Sequence, residues 1–261
     1  MRPISIRILG SLEIRFNNVE ATLSGSKLRN IFSILALRAH DEVLRDELID
    51  ELNLTDTTDN AVNALHAHMA RLRRWLRACG QSPDLVETVN SRYSLRVPRE
   101  AVDAHRFTSL TERAINLAPG TPLVVARLLE DALSLWRGEA LADALDGPLG
   151  IAAADELNDR RAAARYALLD AWSSLGSHLQ VAANARKFIG ENPFNESLYV
   201  QYIHALCEMG RYAEAAEAYR KAEGVLRTEL GVKPGAELRA AAAAALATSA
   251  RGIREVTSFR G

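Results

Sequence analysis

The feature that most constrains the fold is the segment 60–77, NAVNALHAHMARLRRWLR, whose two helical faces carry opposite chemistry. At about 100° per residue, one narrow sector of a helix collects the apolar side chains, which are Val62, Leu65, Met69, Leu72 and Leu76. The opposite sector has amides at its N-terminal end, alanines in the middle and arginines further along. Such a helix packs one side into a core and lets a partner approach the other side closely.

The chemistry of the polar face matches duplex DNA. The major groove admits a helix, asparagine can hydrogen-bond base edges, and arginine binds phosphate or guanine. The alternative is an ordinary amphipathic helix with a solvated basic face. The charge distribution favours DNA, because the whole chain has a formal net charge of −1 whereas residues 60–99 carry seven arginines and two carboxylates. We therefore predict a basic module inside a slightly acidic protein.

Length and composition bound the class of protein. A chain of 261 residues, 48% hydrophobic and 25% charged, is typical of one large or two smaller globular domains. We find no run of eighteen apolar residues and no hydrophobic leader, so we expect a cytoplasmic location. Cys79 and Cys207 lie far apart in sequence and are expected to be free thiols in a reducing compartment.

The segments that precede the basic helix alternate between strand and helix patterns. Residues 4–9 and 12–16 alternate apolar and polar side chains, which predicts two half-buried strands, with a turn at Asn17-Asn18 and a short third strand over 19–23. A helix is predicted from Ser24 or Ser26 to about Ala39, followed by the short extended pair Val43-Leu44 and a helix over residues 45–52.

The segment that follows the basic helix predicts a hairpin. Residues 85–89 and 93–97 read as its two strands, with Asn90, Ser91 and Arg92 at the tip. Three helices followed by a hairpin, with the third helix basic, is the order of a winged helix-turn-helix, in which the third helix enters the major groove and the hairpin reaches the adjacent backbone or minor groove.

These segments resemble the OmpR-type winged helix and, more specifically, the Streptomyces antibiotic regulatory protein family. The phrase NALHAHMARLRRWL (63–76), together with ILGSLEI (8–14), LIDEL (48–52) and YSLRV (93–97), carries the resemblance. The predicted four-stranded sheet, which precedes the basic helix, is part of the same resemblance. One departure concerns the wing, since the family usually has glycine where this chain has Arg92.

The rest of the chain is predicted to be helical. Gly176 and Gly210 lie 34 residues apart, each closing a helix before an Ala-rich second helix, as in tetratricopeptide repeats. VDAHRF (102–107) and ALSLWRGEALAD (132–143) resemble the family's bacterial transcriptional activation domain. We therefore predict an α+β winged helix-turn-helix domain (a small antiparallel sheet, three helices and a C-terminal hairpin) over 1–99, an all-α tetratricopeptide-like domain over 100–250, and a flexible tail over 251–261.

The candidate DNA-binding residues fall into three groups. The helix is expected to present Asn60, Asn63 and Ala67 to base edges, and His68, Arg71, Arg73 and Arg74 to phosphates or a guanine, the role of His68 being implied by the family pattern. For Arg73 an alternative is that its stem packs on the hairpin, and His66 is expected to be partly packed. The hairpin supplies candidates for the backbone or minor groove, which are Thr88, Asn90, Ser91 and Arg92, and the start of the first helix supplies two further phosphate candidates, Lys27 and Arg29.

The resemblance also implies partners. Such proteins bind direct repeats beside a promoter's −35 region and recruit RNA polymerase to switch on clusters for antibiotic or other secondary-metabolite biosynthesis. It implies a homodimer, at least on DNA, and a polymerase contact, to the sigma factor or the alpha subunit, from the loop between the second and third helices. That loop comprises Asn53, Leu54, Thr55, Asp56, Thr57, Thr58 and Asp59. A ligand-sensing repressor of the same fold and a helical-repeat adaptor whose winged helix binds protein are the alternative functions.

No enzyme chemistry is predicted. We find no glycine-rich phosphate loop and no nucleophile or zinc-protease motif, so we expect neither an enzyme nor a cofactor. His66 and His68 point about 200° apart on a helix and cannot share a metal ion. The carboxylate-rich segment 46–51 is expected to be exposed, solvated surface.

Overall fold

The computed structural model describes residues 3–54, 58–117, 120–245 and 247. The chain forms two compact units, one comprising Met1–Asn116 and Leu128–Ala164 and the other Leu117–Arg127 and Arg165–Gly261. The predicted α+β winged helix followed by a helical domain is confirmed. No helix within the described ranges is both long and apolar enough to cross a membrane. The tail over 251–261 lies outside the described residues.

The N-terminal sheet has three antiparallel strands, β1 (Ile4–Arg7), β2 (Glu13–Phe16) and β3 (Val19–Glu20). Asn17 and Asn18 both have positive φ (52° and 64°), the backbone of a type I′ hairpin turn, which confirms the predicted turn. The expected four-stranded sheet is wrong. Residues Val43–Leu44 form a strand, β4, but it pairs with the C-terminal hairpin, so the six strands within the described ranges form two three-stranded sheets.

Three helices follow in the predicted order: α1 (Ser26–Leu37), α2 (Arg45–Glu51) and α3 (Thr58–Ala78). The hairpin strands are β5 (Val86–Val89) and β6 (Arg92–Leu95), arranged β4-β6-β5, and short 3-10 helices span Pro83–Leu85 and Arg99–Ala101. The core between these elements is apolar, with Ile31, Phe32, Leu35, Leu65 and Leu72 all fully buried. This core fixes the orientation of α3.

Residues beyond the hairpin complete the first unit. Helix α4 (Asp103–Ile115) begins with the buried Asp103, whose carboxylate accepts hydrogen bonds from the backbone N–H groups of Ile8 (2.8 Å) and Leu9 (3.2 Å). Burial raises the pKa of Asp103, and these backbone donors oppose the rise. The carbonyls of the same two residues accept hydrogen bonds from a later segment. The Arg137 amide donates to the Leu9 carbonyl and the Leu141 amide donates to the Ile8 carbonyl (2.8 Å each).

A buried carboxylate ties α2 to a distant helix of the same unit. Glu51 is fully buried and accepts hydrogen bonds from the amides of Leu149 (2.7 Å) and Gly150 (3.3 Å), in the first turn of α6 (Pro148–Ser174). The expectation that segment 46–51 is all exposed is therefore wrong for Glu51. The first-turn amides of a helix have no partner within the helix, and a carboxylate satisfies them.

The helical region consists of α5 (Pro122–Ser134), α6, α7 (His178–Glu191), α8 (Glu196–Glu208) and α9 (Tyr212–Leu230), with a further helical stretch over 236–245. Gly176 and Gly210 have φ of 68° and 71° and end α6 and α8. The next amide in each case, from Ser177 or Arg211, reaches back five residues to the carbonyl of Trp172 or Leu206. This helix-ending motif needs a residue with a left-handed backbone, which glycine adopts readily. The same helix end followed by a second helix occurs twice, which confirms the predicted repeat.

Candidate nucleic-acid interface

The inward face of α3 is apolar, as predicted. Leu65, Met69, Leu72 and Leu76 are buried, and Val62 is half-buried. Near the C-terminal end, the indole Nε1 of Trp75 donates a hydrogen bond to the Thr22 carbonyl (2.9 Å). Its ring also packs on Phe16 and Phe32, with ring centroids 5.9 and 5.8 Å away. These contacts prevent α3 from rotating about its axis, which keeps its other side turned outward.

The outward side of α3 is the recognition face, which we define as Asn60, Asn63, Ala67, Arg71 and Arg74. All five residues are exposed. No hydrogen bond or ion pair joins the guanidinium of Arg71 or Arg74 to another described residue, so both are available to an outside partner.

Two neighbouring positions differ from the expectations or extend them. His66 is exposed, so the prediction that it is partly packed is wrong. Arg77 is exposed one turn after Arg74 and was not among the predicted contacts. Its i, i+3 spacing from Arg74 places it beside that residue, and this spacing was the signal available in the sequence.

The wing, defined here as residues 86–95, is a hairpin whose strands are joined by a two-residue turn. Asn90 and Ser91 have φ of 49° and 61°, which gives a type I′ turn. The sequence predicted Arg92 at the tip, and this is wrong. Arg92 is the first residue of β6 and pairs with Val89. It therefore needs no glycine-like backbone, and its side chain forms an ion pair with Glu42 (3.2 Å). Thr88, Asn90, Ser91 and Arg92 are all exposed.

Arg73 joins α3 to the wing. Its Nε and Nη2 atoms donate hydrogen bonds to the Val86 carbonyl (3.0 and 2.8 Å), and Nη2 also donates to the Thr88 hydroxyl (2.6 Å). The half-buried side chain thus adopts the alternative given for it, packing on the wing. It fixes the position of the hairpin relative to the recognition face. Contact of its remaining N–H groups with DNA stays a prediction.

His68 lies at the edge of the recognition face and is half-buried. Burial lowers the pKa of His68, and the nearby positive charges of Arg71 and Lys27 lower it further. The imidazole is therefore neutral near pH 7 in the free protein. A neutral imidazole can still donate one N–H to a phosphate.

The two candidates on α1 are engaged within the protein. The Lys27 ammonium donates to the Leu52 carbonyl, and the Arg29 guanidinium forms an ion pair with Asp143 (2.8 Å). Asp143 also accepts a hydrogen bond from the Leu12 amide (2.6 Å). Contact of Lys27 or Arg29 with phosphate stays a prediction that would require these bonds to open.

The loop between α2 and α3 is described in part. Asn53 has a left-handed backbone (φ 48°), and its side-chain amide donates to the Asp146 carbonyl (2.8 Å). Leu54 is half-buried, and its amide bonds the Ile49 carbonyl (3.1 Å). Thr55, Asp56 and Thr57 lie outside the described residues, as do the side chains of Thr58 and Asp59, which open α3.

Two family models match the chain. The "Transcriptional regulatory protein, C terminal" family matches residues 20–92, which include the three helices and most of the wing. The "Bacterial transcriptional activator domain" family matches residues 102–246. The chain belongs to the Streptomyces antibiotic regulatory protein family of transcriptional activators.

Individual relatives agree with this assignment. "Transcriptional regulator RedD" of Streptomyces coelicolor is 35% identical over 239 residues, covering 90% of this chain and 68% of RedD. "Regulatory protein DnrI" of Streptomyces peucetius is 30% identical over 244 residues, covering 90% of this chain and 89% of DnrI. A solved structure of Mycobacterium tuberculosis EmbR, in complex with a low-affinity phosphopeptide, superposes with a TM-score of 0.85 at 26% identity, covering 99% of this chain and 72% of EmbR.

Proposed function

We propose that this activator binds double-stranded DNA in a sequence-specific way, with α3 in the major groove and the wing on the adjacent backbone or minor groove. The observation that carries the proposal is the recognition face, which is exposed while the opposite side of the same helix is buried. Ala67 in the middle of that face leaves room for the helix backbone to approach base edges. The amides of Asn60 and Asn63 lie at the N-terminal end, where recognition helices of this type contact bases.

The cationic part of the interface supplies affinity that does not depend on sequence. Arg71 and Arg74 are exposed and have no carboxylate partner among the described residues, so DNA binding does not have to break an existing ion pair there. Arginine contacts to phosphate release condensed counterions and make binding salt-dependent. Arg92 differs, since it must exchange Glu42 for a phosphate.

On DNA, we propose a homodimer arranged head to tail on direct repeats beside a −35 region. Direct repeats place successive subunits in the same orientation, about one helical turn apart on one side of the duplex. Family membership supports this arrangement and supports secondary-metabolite biosynthesis genes as the regulated target.

We also propose that residues 53–59, which are the α2–α3 loop and the first two residues of α3, contact RNA polymerase through the sigma factor or the alpha subunit. The loop joins the recognition helix directly, so it lies close to the DNA when α3 is bound. Alanine substitutions at Leu54 and Asp59 should lower activated transcription in vitro and leave promoter affinity unchanged. Unchanged transcription in both variants would contradict the polymerase contact and leave the DNA proposal intact.

Two substitutions on the recognition face test the division between base and phosphate contacts. Asn63→Ala should lower affinity for promoter DNA by about 1–3 kcal/mol and leave affinity for random DNA almost unchanged. Arg71→Ala should weaken binding to both and reduce the slope of log K against log salt by about one. The matched control is His66→Ala, an exposed residue of α3 outside the recognition face.

Equal losses on promoter and random DNA for both Asn63→Ala and Arg71→Ala would refute this assignment. A wild-type chain whose DNA binding does not respond to salt would instead favour the adaptor alternative. Transcription from its own promoter that falls when the protein is added would favour the repressor.

A further inference from the structure

The second compact unit contains a groove that DNA binding does not use. It is formed by α7, α8 and α9 and has a volume of about 810 Å³. Cavities that hold drug-sized molecules fall within the range of about 300–1,000 Å³. The groove is therefore large enough for a bicyclic or tricyclic organic compound.

The polar lining of the groove has a positive excess. Its charged side chains are Arg186 from α7, Arg220 and Lys221 from α9, and two carboxylates, Glu214 and Glu217, also from α9. No ion pair joins these three cations to a carboxylate among the residues that the structure describes.

Glu214 does not offset this excess. Its two carboxylate oxygens accept hydrogen bonds from Arg211 at 2.7 and 2.6 Å, so its charge is already compensated. These hydrogen bonds, above all, lower the pKa of Glu214, and the charges of Arg211 and Arg186 lower it further. The groove therefore favours an anion.

A tyrosine in the groove lacks a hydrogen-bond partner. Tyr199 is only 2% exposed, and its hydroxyl makes no hydrogen bond with any residue that the structure describes. Buried hydroxyls nearly always have a partner, because leaving one unpaired costs free energy. Burial raises the pKa of Tyr199, so the phenol stays protonated and can donate to an acceptor placed in the groove.

The apolar lining of the groove suits a ring system. Tyr202 and Pro193 are half-buried, and Ile189 is buried beside them. Flat aromatic surfaces stack on one another and on aliphatic walls, which adds affinity beyond the area that is buried. A ring that carries an acidic group would satisfy both kinds of lining.

We propose that the groove between α7, α8 and α9 is a binding site for a small aromatic anion, whose acidic group binds the cations Arg186, Arg220 and Lys221 and one of whose oxygens accepts the hydrogen bond of Tyr199. The site lies entirely within one compact unit. It does not depend on the DNA-binding proposal and can be tested on the full chain without DNA.

Gly190 allows the groove to be filled without disturbing its walls. It lines the groove near the end of α7, and a Cβ added there would meet no atom within 4 Å. Gly190→Leu would add an isobutyl group to the lining of the groove. Gly190→Ala is the matched control, since it adds one methyl group and improves helix propensity.

The experiment measures binding of three probes that share a naphthalene ring to the full chain by isothermal titration calorimetry. The probes are 2-naphthoate, its neutral analogue 2-naphthamide and its cationic analogue 2-naphthylmethylamine. We expect 2-naphthoate to bind one site per chain with a dissociation constant of about 1 mM or tighter. The amide should bind at least about tenfold more weakly, and the amine should show no binding, because the cationic lining repels it.

The variants locate the site. Gly190→Leu should abolish 2-naphthoate binding and Gly190→Ala should retain it. Tyr199→Phe should weaken 2-naphthoate about tenfold without lowering the melting temperature, because it removes a hydroxyl that has no partner in the free protein. If the hydroxyl had a purely structural role, Tyr199→Phe would lower the melting temperature and leave the affinity for 2-naphthoate unchanged.

Three outcomes would overturn the proposal. The first is the absence of saturable 2-naphthoate binding, and the second is equal affinity for the acid and the amide. The third is a Tyr199→Phe variant that loses thermal stability and keeps full affinity. Loss of DNA binding in separate recognition-face variants would leave the result for the groove unchanged.

Discussion

Two adjacent arginines of α3 are predicted to have different roles. Arg73 donates three hydrogen bonds to the wing, whereas Arg74 is exposed and has no partner among the described residues. Arg73→Ala should therefore loosen the wing, and Arg74→Ala should remove a DNA contact without affecting the folded protein.

The expected magnitude follows from the Arg73 contacts. A hydrogen bond from a charged donor contributes about 1.5–3 kcal/mol when buried. Arg73 is half-buried, so we discount its three bonds for solvent screening and expect Arg73→Ala to lower the free energy of unfolding by about 1–3 kcal/mol. Arg74→Ala should change it by less than about 0.5 kcal/mol, as surface substitutions usually do.

Two measurements check this prediction. Urea denaturation gives the free energy of unfolding, and amide hydrogen exchange reports local opening of the wing. In Arg73→Ala, the amides of residues 86–95 should exchange faster while those of α7 stay unchanged. A double-mutant cycle with Thr88→Val should give a coupling energy of about 0.5–1.5 kcal/mol, because the Thr88 hydroxyl accepts from Arg73 at 2.6 Å.

The reasoning is refuted if Arg73→Ala leaves wing exchange at the wild-type rate, or if both arginine variants lose the same stability. Either result would mean that the contacts to Val86 and Thr88 do not hold the wing in solution. The Arg74→Ala protein serves as the internal control, and its promoter affinity should fall while its stability does not.

Three further predictions concern the first compact unit. Gly150→Ala should destabilise the protein by more than about 2 kcal/mol in thermal unfolding, since its Cβ would lie 1.5 Å from the Ala144 carbonyl oxygen; a melting temperature equal to wild type would contradict this. Glu51→Gln should cost about 1–3 kcal/mol in urea, because it weakens a buried acceptor of two helix amides, and no change would show that the carboxylate is dispensable. Burial lowers the pKa of His105, so on acidification the unfolded chain takes up a proton at a higher pH than the folded chain. The free energy of unfolding should therefore be greatest above the ordinary histidine pKa of about 6.5 and should fall as the pH drops below it. This fall should be less steep in His105→Gln. A pH slope that is unchanged by this substitution would rule out His105 as the source.

The sequence allowed prediction wherever local periodicity decides the structure. The spacing of Leu65, Met69, Leu72 and Leu76 identified the buried side of α3, and with it the recognition face. The 34-residue spacing of Gly176 and Gly210 identified two helix ends, because a left-handed helix terminus favours glycine.

Contacts between residues far apart in sequence could not be predicted in the same way. The burial of Glu51 depends on amides of α6 almost one hundred residues later, and no local pattern distinguishes it from the exposed acids beside it. The register of the wing could not be predicted either. Val89 pairs with Arg92, so Arg92 lies in a strand and not at the tip where the sequence placed it. The partners of Arg73 on the wing depend on that same register.

The central claim is that α3 reads the major groove, and dimethyl sulfate interference on the promoter tests it most directly. Methylation at guanine N7 lies in the major groove, whereas methylation at adenine N3 lies in the minor groove. We predict interference at guanine N7 in two clusters about one helical turn apart. Interference confined to adenine N3, or none at all on a bound promoter, would contradict the account.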